Sequence, residues 1–76
     1  MQQNDKEILT NFGKLLKELR EQKKISLNKF ALNSDDLTSA TLSRIENGLV
    51  DFKFTTLIKI SNALNISLSE LFKNFK

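Results

Sequence analysis

A chain of 76 residues has room for one small domain, and the lack of cysteine and histidine removes disulfide staples, Cys/His metal sites and the usual general base. With 39% hydrophobic and 28% charged residues the composition suits a folded soluble chain rather than a disordered one, so stability must come from packing, capping or oligomerisation. Twelve Lys plus Arg against nine Asp plus Glu leave a net charge of +3, compatible with a polyanionic partner and equally with none.

Residues 1–6 carry no apolar pattern and are expected to fray. From there Ile8, Leu9, Phe12, Leu15, Leu16 and Leu19 fall on one stripe of an amphipathic helix, with Lys14, Lys17, Glu18 and Glu21 elsewhere. Ser26 stands where an N-cap belongs, and Phe30 with Ala31 supply the inner side of a second helix of about two turns. The turn formers Asn33-Ser34-Asp35-Asp36 predict its end.

Thr38 caps a third segment, with Leu42 and Ile45 on its inner side and Asn47-Gly48 closing it. Asn-Gly is also a hairpin signal, and Val50-Asp51-Phe52-Lys53-Phe54 alternates like a strand, but nothing before Asn47 supplies a partner strand. Gly48 is therefore read as a helix terminator. A fourth helix follows, with Phe54, Leu57, Ile58 and Leu64 among its apolar positions. Ser67-Leu68-Ser69-Glu70 has the spacing of a capping box and opens a fifth helix that carries Leu68, Leu71, Phe72 and Phe75 on one side. All five segments are helical, and no proline interrupts them. The expected architecture is all-α, a single domain over residues 1–76.

At about 100° per residue, Ile45 lies about 60° from Leu42 on the inner side of the third helix, and Glu46 lies about 40° away on the other flank. Ser39, Ser43, Asn47, Ala40 and Arg44 then share one contiguous outer face with one cation and no anion. Short side chains of this kind allow a backbone to approach the DNA major groove, and hydroxyl or guanidinium groups can meet base edges and phosphates. By angle alone, a solvated surface that happens to lack Glu and Lys accounts for the same face equally well.

Residues 12–72 resemble the helix-turn-helix family of lambda repressor-like and Cro-like regulators, the XRE family. The residues that carry the resemblance are Phe12-Gly13 with Leu19-Arg20, Ile25-Ser26 with Phe30-Ala31, and Leu42-Ser43-Arg44-Ile45-Glu46-Asn47-Gly48. Leu57-Ile58-Lys59-Ile60-Ser61-Asn62-Ala63-Leu64 and Ile66-Ser67-Leu68-Ser69-Glu70-Leu71-Phe72 continue it in the same order and spacing. The resemblance implies a compact five-helix bundle, a helix-turn-helix at about residues 26–47, and a recognition helix at about residues 38–47 entering the major groove. It further implies an ion pair of structural role between Arg20 and Glu46, base-reading by Ser39, Ala40, Ser43 and Arg44, and phosphate contacts from Thr38, Asn47 and Lys53.

Two features depart from the family pattern. Leu27 occupies a position where Gln often binds a phosphate and braces a reading residue, and leucine does neither. The turn through Asp35-Asp36-Leu37 is one residue longer than usual and brings an extra acid toward the DNA side.

Enzyme chemistry is not expected. A nucleophile with a base, or a carboxylate pair in a cleft, needs more cavity than 76 residues supply, and Asp35, Asp36, Ser39 and Ser43 read as turn and helix-surface residues. No cofactor or metal is expected either. Lys14, Lys17, Lys23 and Lys24 are interleaved with acids and form a solvated face rather than a membrane surface. No apolar run is long enough for a bilayer and no export signal opens the chain, so a cytoplasmic location is expected. A short terminal helix cannot bury both Phe72 and Phe75, which makes Leu68, Leu71, Phe72 and Phe75 the candidate dimer surface.

The expected function is sequence-specific binding of double-stranded DNA and transcriptional regulation, as a homodimer on a palindromic operator with half-sites about 34 Å apart. Phage-type repressors, restriction-system controllers and antitoxins all fit the residues, and an antitoxin would add a protein partner. The alternative is a protein–protein interaction module that uses the same bundle without DNA. Leu27, expected to lie exposed beside the reading face, favours that alternative.

Overall fold

The computed structural model describes residues 4–75, which form α1 (Asp5–Gln22), α2 (Leu27–Asn33), α3 (Ser39–Glu46), α4 (Phe54–Leu64) and α5 (Leu68–Lys73), with no strand among them. Val50 to Lys53, the stretch with β-like alternation, is irregular chain between α3 and α4.

α1 begins earlier than expected. Of residues 1–6, the described ones are ordered: Asn4 is the N-cap, its side chain accepts the Glu7 amide at 2.8 Å, and Asp5 and Glu7 place acids in the first turn. Acids there oppose the positive end of the helix dipole. The first three residues lie outside the described chain. Ser26, Thr38 and Ser67 cap α2, α3 and α5 in the same way, each accepting the amide three residues on.

Three helices end through a residue in the left-handed region, Lys24 after α1, Gly48 after α3 and Asn65 after α4. Each is followed by an amide that reaches back five residues: Ile25 to Arg20 at 3.2 Å, Leu49 to Arg44 at 2.9 Å, and Ile66 to Ser61 at 3.0 Å. These bonds satisfy carbonyls that a helix end would otherwise leave open. Glycine suits such a position, asparagine tolerates it, and lysine adopts it at a cost in strain.

Phe12 and Leu16 of α1, Phe30 of α2, Leu42 and Ile45 of α3, Ile60, Ala63 and Leu64 of α4, and Leu71 of α5 make one core cluster. α3 packs against α1 and α2, and α4 against α2 and α5, so every helix contributes to it. Each fully buried Leu, Ile or Phe contributes roughly 1.5–3 kcal/mol relative to exposure, which is how so short a chain holds a bundle. Phe54, placed by its spacing among the apolar positions of α4, is instead 68% exposed. It is the first residue of its helix, where the chain still projects beyond the core.

Candidate nucleic-acid interface

α3 is held to the bundle through one side only. Leu42, Ile45 and Glu46 are buried, whereas Ala40, Arg44 and Asn47 are exposed and Ser39 and Ser43 half-buried on the opposite side. The structure therefore brings the four candidate base-reading residues onto one face. Arg44 makes no side-chain hydrogen bond or ion pair among the described residues. A long cation on this face, with short neighbours beside it, leaves the helix backbone free to approach a partner closely.

A buried ion pair fixes the opposite side. Arg20 Nε donates to Glu46 Oε2 at 2.7 Å, and Nη2 donates to Oε1 at 3.2 Å, a two-point contact between side chains only 11% and 4% exposed. Nη1 donates to the Ile25 carbonyl at 2.7 Å, so the same guanidinium ties together α1, the α1–α2 link and α3. Hydrogen bonding to Glu46 raises the Arg20 pKa, partly opposed by burial. A cation whose pKa is raised on folding stabilises the fold at every pH below its ordinary range and loses that contribution only as pH climbs through the raised value.

Backbone contact sets the distance between α1 and α3. A Cβ added to Gly13 would lie 2.6 Å from the Ile45 carbonyl oxygen and closer still to that of Glu46. Nothing larger than glycine fits, because both opposing groups are main chain. Gly48 plays a second part, with φ +70° and an added Cβ only 2.8 Å from Thr10 Cα and Oγ1.

The helix-turn-helix turn runs from Ser34 to Thr38. Buried Ser34 donates its hydroxyl to Ala31 O at 2.8 Å and lies 3.4 Å from Leu37 O. Asp36 of this turn accepts from Lys59 Nζ of α4 at 2.9 and 3.0 Å. Both of these side chains are accessible to solvent, so the pair contributes little on its own. The sequence marks Ser34 as a turn former and Lys59 as part of an amphipathic helix, but neither position gives a local sign of these partners.

The three phosphate candidates sit at the two ends of α3 and beyond it. Thr38 Oγ1 accepts the Thr41 amide at 3.1 Å and donates to Thr41 Oγ1 at 3.0 Å, so its hydroxyl is engaged within the helix cap. Asn47 Nδ2 donates to Ser43 O at 2.8 Å and to Ser43 Oγ at 3.4 Å. Exposed Lys53 is the first cap of α4 and makes no side-chain cap bond.

Leu27 is not exposed beside this face: it is half-buried and packed against the core. That removes the feature that favoured a protein-interaction module. The candidate dimer surface also changes. Leu71 is fully buried and cannot meet a partner, and Leu68 is packed against the core. Phe72 stays 40% exposed, and Phe75 packs edge-on against Phe12 with ring centres 5.9 Å apart. Phe72 and Phe75 line an apolar groove of about 180 Å³ with Ile8, Phe12, Phe52 and Leu57.

Residues 16–71 match the HTH_3 helix-turn-helix family model. The control protein C.MunI from a Mycoplasma species is 41% identical over 71 residues, spanning 92% of this chain and 95% of that protein. The restriction-modification controller protein C.AhdI from Aeromonas hydrophila is 33% identical in its crystal structure, with a TM-score of 0.78 over 84% of this chain and 96% of that one. Another controller, C.Esp1396I, solved as a tetramer with its natural 35 base-pair operator, matches in fold with a TM-score of 0.82 at 23% identity, over 87% of this chain and 86% of that one.

Proposed function

The chain belongs to the HTH_3 helix-turn-helix family, and on that premise we propose that it is a sequence-specific DNA-binding transcriptional regulator of the restriction-modification controller kind. The observation that carries this reading is the division of α3: anchors buried on one side, and on the other a face with one unpaired cation and no anion. α3 enters the major groove; Ser39, Ala40, Ser43 and Arg44 meet base edges, with Arg44 forking onto a guanine and Ala40 against a thymine methyl. The Thr38 amide, Asn47 and Lys53 hold phosphates and set the register. Two copies joined through the Phe72–Phe75 side read a palindromic operator, and the chain works in the cytoplasm where that DNA lies. Controller function is favoured over antitoxin or phage repressor because the similar proteins C.MunI and C.AhdI are controllers.

Selection of bound duplexes from a random pool tests the reading. A palindrome with half-sites about one helical turn apart is the expected result. Affinity for the selected duplex should fall steeply with salt, with a log–log slope of about −0.9 for each phosphate neutralised. No enrichment, together with no binding to any duplex at low salt, would overturn it.

A further inference from the structure

Asn47 and Gly48 close α3, and Asn-Gly is also the dipeptide in which a backbone amide most readily attacks an asparagine side chain, since glycine sets no Cβ beside the approaching nitrogen. No other asparagine in the chain precedes glycine. Position 48 is confined to glycine by its φ of +70° and by the contact an added Cβ would make with Thr10. In the closed cap both reacting groups are engaged: the Gly48 amide donates to Ile45 O at 3.1 Å, and Asn47 Nδ2 donates to Ser43 O at 2.8 Å.

We propose that Asn47 is a self-modification site that weakens DNA binding, held unreactive by the α3 cap and released when that turn opens. The Gly48 nitrogen then attacks Asn47 Cγ; the new N–Cγ bond forms, Cγ–Nδ2 breaks, and ammonia departs with the amide proton. Water opens the resulting succinimide at either carbonyl, leaving aspartate or isoaspartate. The product carboxylate has no hydrogen to give Ser43 O, and it places an anion at the negative end of the α3 dipole. It also puts that anion on the face offered to phosphates, so cap stability and DNA affinity fall together. A duplex lying across the cap slows the reaction further. The chemical half stands on the cap geometry alone, and the DNA half rests on the function proposed above.

The test is incubation of the full chain at mildly alkaline pH in three states: native, native with the selected duplex, and in denaturant. Mass spectrometry of the tryptic peptides 45–53 and 30–44 compares amide loss at Asn47 with that at Asn33, which precedes serine. Asn47 should convert severalfold faster than Asn33 in denaturant, severalfold slower in the native chain, and slower again with DNA. Asn47→Asp should melt at lower temperature and lose about tenfold in affinity for the duplex, whereas Asn47→Gln, whose attack would close a larger ring, should resist conversion. Equal rates at Asn47 and Asn33 in denaturant, a native rate matching the denatured one, or Asn47→Asp binding like the parent would each overturn the proposal. A chain that binds no duplex would sink the DNA reading, while the conversion rates and the melting temperature would still judge the modification.

Discussion

α3 and α5 are built alike where they begin. Each opens on a hydroxyl side chain that accepts an amide three residues on, Thr38 from Thr41 at 3.1 Å and Ser67 from Glu70 at 3.0 Å, and each sinks one leucine completely, Leu42 and Leu71. They differ in the residues left outside. α3 shows small polar groups and one arginine, while α5 shows Phe72, which is partly covered by Phe75 with ring centres 6.1 Å apart. The same capping and burial thus mount two different surfaces on one bundle, one suited to a charged, hydrogen-bonding partner and one to an apolar partner of matching shape. What the partner is follows from the residues the core does not take.

The largest effect expected within this comparison is at Glu46, an anchor for which α5 has no counterpart. Glu46→Ala leaves Arg20 buried without its partner and should cost about 3–5 kcal/mol in denaturant unfolding. A loss below about 1 kcal/mol would mean that solvent reaches the pair after all. Next, Leu42→Ala and Leu71→Ala should each cost roughly 2–5 kcal/mol of stability, since both are fully enclosed. Phe72→Ala separates α5's two roles: monomer stability should change far less than for Leu71→Ala, while the dimer dissociation constant rises by a factor equivalent to about 2 kcal/mol in sedimentation equilibrium. If Phe72→Ala left self-association untouched, the apolar end would not be the dimer surface.

Arg44→Ala is the matching test on α3. It should leave the melting temperature nearly unchanged and cost about 1–3 kcal/mol on the selected duplex with relaxed base preference. A loss equal on all sequences would make Arg44 a phosphate anchor instead. The smallest effect belongs to Lys59→Met, which removes an accessible pair with Asp36 and should change stability by less than about 1 kcal/mol.

Much of this architecture is legible in the residues. The stripe from Ile8 to Leu19, the hydroxyl caps and the Asn-Gly stop are local signals, and local signals fix helices well when apolar spacing and caps agree. The start of α1 is not legible: Asn4 caps the helix by accepting the Glu7 amide, but no apolar pattern around it marks the cap in the sequence. The burial of Leu27 and Leu71 is hidden from the sequence for a different reason. Periodicity assigns a side to a helix, but how deep that side sinks depends on where the next helix crosses, which is a property of the whole bundle. Lys24 in the left-handed region has no sequence sign either, because the bonds that hold it there, such as Ile25 to Arg20, depend on the folded corner. On the candidate site, the angular map places the outer face of α3, while the bonds that Ser34 and Lys59 make to the turn before it are long-range or hidden within that turn.

The main-chain contact at Gly13 bears on how such a protein can diversify. α3 rests on α1 through main chain at Gly13, and its buried side chains are Leu42, Ile45 and Glu46, while Ala40 and Arg44 stay exposed and Ser39 and Ser43 half-buried. Substitutions at Ser39, Ala40, Ser43 and Arg44 therefore fall where changes usually alter stability by no more than about 0.5 kcal/mol. On the function proposed above, that set can change without rebuilding the fold, so target preference would be free to drift while the scaffold stays under constraint, and Gly13 is the position where that separation would fail first.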